Sequence, residues 1–288
     1  MPKRPRTGAD FAHQPRWPDR TQDSEIHWVE NCRVAGWVDG WYFCPMFGFI
    51  RRWKRKKLRQ RPIPPEWDPI LREHLPFYEE MDDQEREIFR ENLKIFAWEK
   101  IFIGAKGLEV TDEHRVVISA AAVRLIQNLD LSYYDRLTEI VVYPHDYTHE
   151  DTTGVILGEA HHWGIVVLSW PSVLQGLHNP CDGLDTASHE FAHVLDRDGG
   201  AFDGTPILRA GESYRSWADV MSRHYANLQD GAPRERRVMR DYGAVNEAEF
   251  FAVATEAFFE KSAEMKRLTP DLYEELRLFY GVDPVSKC

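Results

Sequence analysis

The sequence predicts a mainly helical α+β domain with a small sheet. Helical periodicity runs through Glu85–Phe102, with Ile88, Leu93, Ile95, Phe96 and Phe102 among its apolar positions. Two strand-like runs follow, EIVVY at Glu139–Tyr143 and GIVVLSW at Gly164–Trp170, each stopped by a proline. Beyond them the caps and stops of helices recur to the end of the chain.

The elements are justified in order. Pro62, Pro64 and Pro65 disfavour helix and mark a boundary between residues 1–65 and 66–288. After Glu85–Phe102, a second helix starts at Thr111 as N-cap and runs to about Leu129. The strand-like runs come next, and then a long helix around Cys181–Asp198 ended by Gly199-Gly200. Others are expected over Glu212–Gln229 and Glu247–Ser262. The last has Thr269 as N-cap, Pro270 in its first turn and Gly281 as its stop.

Composition narrows the class. The 288 residues carry 36 Lys+Arg against 47 Asp+Glu, a balance that argues against a nucleic-acid-binding protein. The charge is unevenly spread. Residues 1–65 hold 14 basic and 6 acidic residues, leaving 22 basic and 41 acidic for residues 66–288. Trp41–Ile50 is uncharged, but a membrane-spanning helix needs about 20 apolar residues. Eight of the eleven residues from Arg51 to Arg61 are basic. Residues 41–61 are therefore either a solvated tail or a contact for an anionic membrane surface. Four cysteines, at 32, 44, 181 and 288, make no disulfide framework, and no secretory signal is visible, so the cytoplasm is the expected compartment.

The chemistry concentrates at His189–His193, which reads HEFAH. On a helix, residues four apart share a face, so His189 and His193 can reach one ion. Glu190, one residue on, can accept a proton from a water activated there. An open catalytic zinc site needs a third protein ligand. Glu249, 56 residues after His193 and near the start of a helix, is the candidate. The same residue also fits a capping box with Asn246, in which it would bond its own backbone. Asp196 and Glu256 are candidates to orient a ligand imidazole from behind. His161-His162 reads as a pair of surface histidines near a turn.

HEFAHVLD (His189–Asp196) followed by YGAVNEAEFFAVATEAFF (Tyr242–Phe259) resembles the Mlc titration factor A family of zinc-dependent peptidases. The same blocks are similar to those of the anthrax lethal factor metalloprotease domain. The resemblance to the titration factor family covers most of Met46–Pro284, including GIVVLSW and LRLFYGVDP (Leu276–Pro284). It implies a zincin-like metallopeptidase domain, one Zn2+ held by His189, His193 and Glu249, and Glu190 as general base. Tyr242 would donate a hydrogen bond to the oxyanion, and the strand at Gly164–Leu168 would pair with an extended peptide substrate. The resemblance leans towards an aminopeptidase-type activity. It also implies a second class of function, since the family is named for sequestering a glucose-responsive transcriptional repressor. Because it begins near Met46, and residues 1–45 hold six basic and six acidic residues, Met46 is a candidate native start.

Overall fold

A computed structural model describes residues 45–145, 164–198 and 202–284. Side chains are described from Gly48, and not at Asp198. The chain divides into two units, Met1–Arg51 and Arg52–Cys288. Of the first, the described part is the opening of a helix, α1 (Pro45–Arg59), on which Phe49 and Ile50 are exposed.

The second unit carries the fold. The rest of α1 is followed by α2 (Trp67–His74), α3 (Pro76–Glu80) and α4 (Asp83–Glu99). Strand β1 (Ile101–Gly104), helix α5 (Asp112–Leu125), β2 (Glu139–Tyr143) and β3 (Ile165–Ser169) come next. Then come α6 (Trp170–His178), α7 (Thr186–Asp198), α8 (Tyr214–Gln229) and α9 (Pro233–Val238). The chain closes with α10 (Glu247–Glu260), α11 (Ser262–Leu268) and α12 (Pro270–Tyr280). This is the predicted α+β metallopeptidase-like architecture, helices around a three-stranded sheet.

The sheet is parallel throughout, in the order β1-β2-β3. Parallel neighbours need a crossover connection, and α5 lies on the one between β1 and β2. Ile140 and Val142 of β2, with Val166 and Leu168 of β3, are buried at alternate positions and supply the sheet's share of the core.

Several boundaries differ from the sequence reading, each for a physical reason. The first periodic helix ends at Glu99, and Ile101–Gly104 leaves it to pair with β2. Pro171 ends the strand and also opens α6, because its missing N–H is no loss in a first turn. The helix expected from Cys181 starts at Thr186, after the Asp185 cap. Helix α10 stops at Glu260, and α11 begins after Lys261. At the end of α12, Gly281 takes the left-handed conformation expected of a helix stop. The pair Gly199-Gly200 lies outside the described residues, as does His161-His162. Cys181 is disulfide-bonded and so is not a free thiol.

A solvated tail does not describe the second unit's part of α1. Arg55 is buried and donates to both Glu99 oxygens at 2.7 and 2.8 Å and to Asp135 at 2.7 Å. Burial alone would raise the Glu99 carboxyl. Arg55 and the buried Lys100 ammonium outweigh it and bring that carboxyl down to about 2. Among the described residues no helix is long and apolar enough to cross a membrane.

Candidate metal centre

Two helices build the site. Asp185 caps α7: its Oδ1 accepts the Ser188 N–H at 3.0 Å and its carbonyl accepts the His189 N–H at 2.9 Å. On the inner side of α7, Ala187, Phe191, Ala192 and Leu195 are fully buried. Phe191 packs edge-on against Phe96 and Tyr134, with centroids 5.9 and 5.8 Å away. Truncating such a side chain to alanine costs about 3–5 kcal/mol. This packing fixes the rotation of α7, and with it the direction of His189 and His193.

Helix α10 packs along α7 and is buried along nearly its whole length, with most of its residues apolar. Asn246 caps it, accepting the Glu249 N–H at 2.9 Å. The Glu249 carboxylate does not complete a capping box with the Asn246 backbone but turns towards the histidines. Its Oε2 lies 3.0 Å from His189 Nε2 and 3.4 Å from His193 Nε2, and the two Nε2 atoms are 3.2 Å apart.

Those separations permit a test of fit. Four ligands at about 2.0–2.1 Å in a tetrahedron stand about 3.3 Å from one another. The two imidazole nitrogens and the carboxylate oxygen thus already stand at the spacing of three corners of a zinc site. All three residues are largely buried, and they form the one such cluster among the described residues. Borderline-soft nitrogen donors with one carboxylate suit zinc.

The electrostatics agree. Burial opposes charge on His189, but Glu249 at one ring nitrogen and Glu256 at the other outweigh it and push the imidazole up to about 10. Burial likewise opposes the charge of Glu249, and His189 and His193 overcome it to hold the carboxyl well below its usual range. The centre is built for a cation between carboxylates, and a metal ion competes with the proton for the same Nε2 lone pair.

Glu256 stands two turns along α10 from Glu249 and 1% exposed. Its Oε1 accepts from His189 Nδ1 at 2.8 Å and from Arg240, and its Oε2 accepts the Asp185 N–H at 2.8 Å. It therefore sits behind His189, where the sequence placed it as a candidate. Asp196 does not: its Oδ2 accepts the Gly204 N–H at 3.1 Å, and burial raises its carboxyl to about 7. It ties the segment after α7 to the helix rather than orienting an imidazole.

Glu190 is buried beside the cluster, and its charge bears on both His189 and Tyr242. Tyr242 lies on a short 3-10 turn, Asp241–Ala244, with its ring centroid 5.9 Å from that of His189. Partial burial and the charges of Glu249 and Glu190 push its phenol up to about 12, so it remains an O–H donor at neutral pH. Arg240 and Asp185 were not candidates from sequence. The Asp185-x-x-Ser188 pattern just before HEFAH was a readable cap signal, whereas nothing in the spacing of Arg240 betrays its partner.

An HExxH helix, a carboxylate from a neighbouring buried helix and an α+β frame define the class as metallopeptidase. The chain belongs to the glucose-regulated metallo-peptidase M90 family, whose model matches residues 50–281. It is 36% identical to an uncharacterised protein of Synechocystis sp., over 82% of this chain and 90% of that one. It is 25% identical to proteins named Mlc titration factor A from Serratia proteamaculans and Klebsiella pneumoniae. These alignments cover 77% of this chain and 88% and 87% of theirs.

Proposed function

We propose that the protein is a zinc-dependent peptidase in which His189, His193 and Glu249 hold the ion. The observation that carries this is the convergence of their three donor atoms at tetrahedral spacing. Zinc, when bound there, supplies a Lewis acid that polarises a carbonyl and acidifies a water to near neutral pH. Glu190 would accept a proton from the attacking water and return it to the leaving amine. Tyr242 donates its O–H to the carbonyl oxygen as negative charge develops on it.

β3 bonds to β2 on one side and, among the described residues, has no strand on the other. An extended peptide adding to that edge gives the substrate a register beside α7, which packs against β3. The excess of acidic residues over 66–288 favours approach of a cationic amino terminus, in keeping with an aminopeptidase-type preference. Metal analysis with a peptide-library cleavage profile tests the reading. One zinc per chain, lost in His189→Ala, and trimming from free amino termini are expected; a protein that binds no stoichiometric zinc contradicts it.

The name Mlc titration factor A, carried by relatives at 25% identity, supports a second reading in which this chain binds a transcriptional repressor and proteolysis is secondary. Complementation of a deletion strain by His189→Ala would favour binding, and failure to complement would favour catalysis. A membrane contact is a further part of the proposal for α1. In the second unit Arg52, Trp53, Lys54, Lys56, Lys57 and Arg59 are exposed, with the Lys57 ammonium 3.6 Å over the Trp53 ring. That combination suits anionic headgroups. Co-sedimentation with phosphatidylserine vesicles checks it, and a Trp53→Ala, Lys56→Ala, Lys57→Ala variant that sediments equally well counts against it.

A further inference from the structure

We propose that Arg240 is a positioning residue that couples the metal-binding imidazole of His189 to Tyr242, acting through Glu256. The proposal rests on the peptidase reading for its catalytic consequences, and on geometry for the rest.

Three donors converge on the buried Glu256 carboxylate, two from the start of α7 and one from the segment after α9. Asp185 supplies its backbone N–H from the cap of α7 and His189 supplies Nδ1. Arg240 supplies a guanidinium N–H to the same oxygen that receives His189. An isolated carboxylate at this depth is costly, and a guanidinium partner removes most of that cost while fixing the oxygen's direction. Nδ1 of the imidazole is thus tied to Glu256, and its Nε2 is aimed at Glu249 and His193.

Arg240 also immediately precedes the 3-10 turn that carries Tyr242. Its carbonyl accepts the Gly243 N–H at 3.1 Å, and its guanidinium carbon lies 5.9 Å from the Tyr242 ring centroid. The turn is seated by the buried Gly243, where a Cβ would meet Leu228 and Val253 side chains at 3.2 and 3.3 Å. One residue thus supports a metal ligand through its guanidinium and holds the entry to the turn that carries the oxyanion donor through its carbonyl, with the guanidinium lying over towards the Tyr242 ring. Arg240 itself touches neither metal nor substrate in this arrangement, so its effect must pass through its two neighbours.

The experiment compares the full-length wild type with Arg240→Ala, Arg240→Lys, Glu256→Gln and Tyr242→Phe. Zinc retention is measured against a competing chelator, and kcat and KM are measured on a peptide cleaved by the wild type. Removing groups that support a metal ligand costs about 10–100-fold in metal affinity or activity. Arg240→Ala should weaken zinc retention within that range, and Arg240→Lys should recover part of it. At saturating zinc, kcat should fall while KM stays near wild type. In the Arg240→Ala, Tyr242→Phe double variant the two kcat losses should combine to less than their product. Should Arg240→Ala fail to fold, Arg240→Lys and Glu256→Gln carry the same zinc measurement. Wild-type zinc retention in the folded Arg240 variants, or fully multiplicative kcat losses, would overturn the coupling. If the wild type cleaves nothing, the peptidase reading fails, while the chelator competition still decides whether Arg240 supports the metal site.

Discussion

His189 Nδ1 bonds Glu256 Oε1 at 2.8 Å across 67 positions of sequence, tying the first turn of α7 to the second half of α10. The bond leaves the opposite nitrogen of the ring to face Glu249 and His193. A group that fixes ring and tautomer in this way is expected to matter to the metal almost as much as a ligand. Glu256→Ala should lower zinc affinity by about 10–100-fold while the fold survives, read by chelator competition and circular dichroism. Unchanged affinity would show that the contact is packing alone.

Tyr242 is exposed at 43%, unusual for a residue contributing only to the core, and its ring lies against that of His189. Tyr242→Phe should reduce kcat by about 10²–10³-fold with zinc content unchanged, the cost of removing one donor to an oxyanion. A fall in zinc content instead would make it a structural neighbour of the ligands.

Gly204 connects α7 to α10. It stands at φ +72°, and a Cβ there would lie 2.5 Å from the Glu247 carbonyl oxygen in the first turn of α10. Gly204→Ala should destabilise the protein by about 1–3 kcal/mol. Because its N–H also holds Asp196, and because Glu249 follows Glu247 by half a turn, zinc affinity should fall with stability. Denaturant titration and chelator competition on the same sample check both.

The Glu99 ion pairs make part of the protein's stability sensitive to acid. The folded Glu99 carboxyl is at about 2 against an ordinary 4.5, so protonation favours the unfolded chain. The stabilisation, at most about 3 kcal/mol, is complete above about pH 4.5 and is lost as pH falls towards 2. Glu99→Gln should lower stability at neutral pH and flatten the acid limb of the stability curve in that window. An acid limb identical to wild type would assign acid unfolding to other carboxylates.

Legibility differed between site and frame. His189, Glu190 and His193 could be read because a four-residue spacing on a helix fixes a common face without knowledge of the fold. Glu249 was ambiguous locally, since Asn246-x-x-Glu249 is a cap pattern, and the structure uses the Asn246 half as a cap and the Glu249 carboxylate elsewhere. Only tertiary contact could decide that. Arg240 was silent because its meaning lies in a partner 16 residues away on another element. Strand β1 was hidden for a related reason: Ile101–Gly104 continues the helical apolar pattern, and β2 supplies the bonds that make it extended. Asp196 misled because proximity in sequence to His193 is not proximity of side chains.

The central claim is that Glu190 moves a proton at a metal held by His189, His193 and Glu249. Peptide turnover and zinc content of Glu190→Gln, measured beside the wild type at saturating zinc, test it most directly. The account predicts one zinc per chain in both and a loss of kcat of at least about 10²–10⁴-fold in the variant. Hydrolysis by Glu190→Gln at the wild-type rate would contradict it.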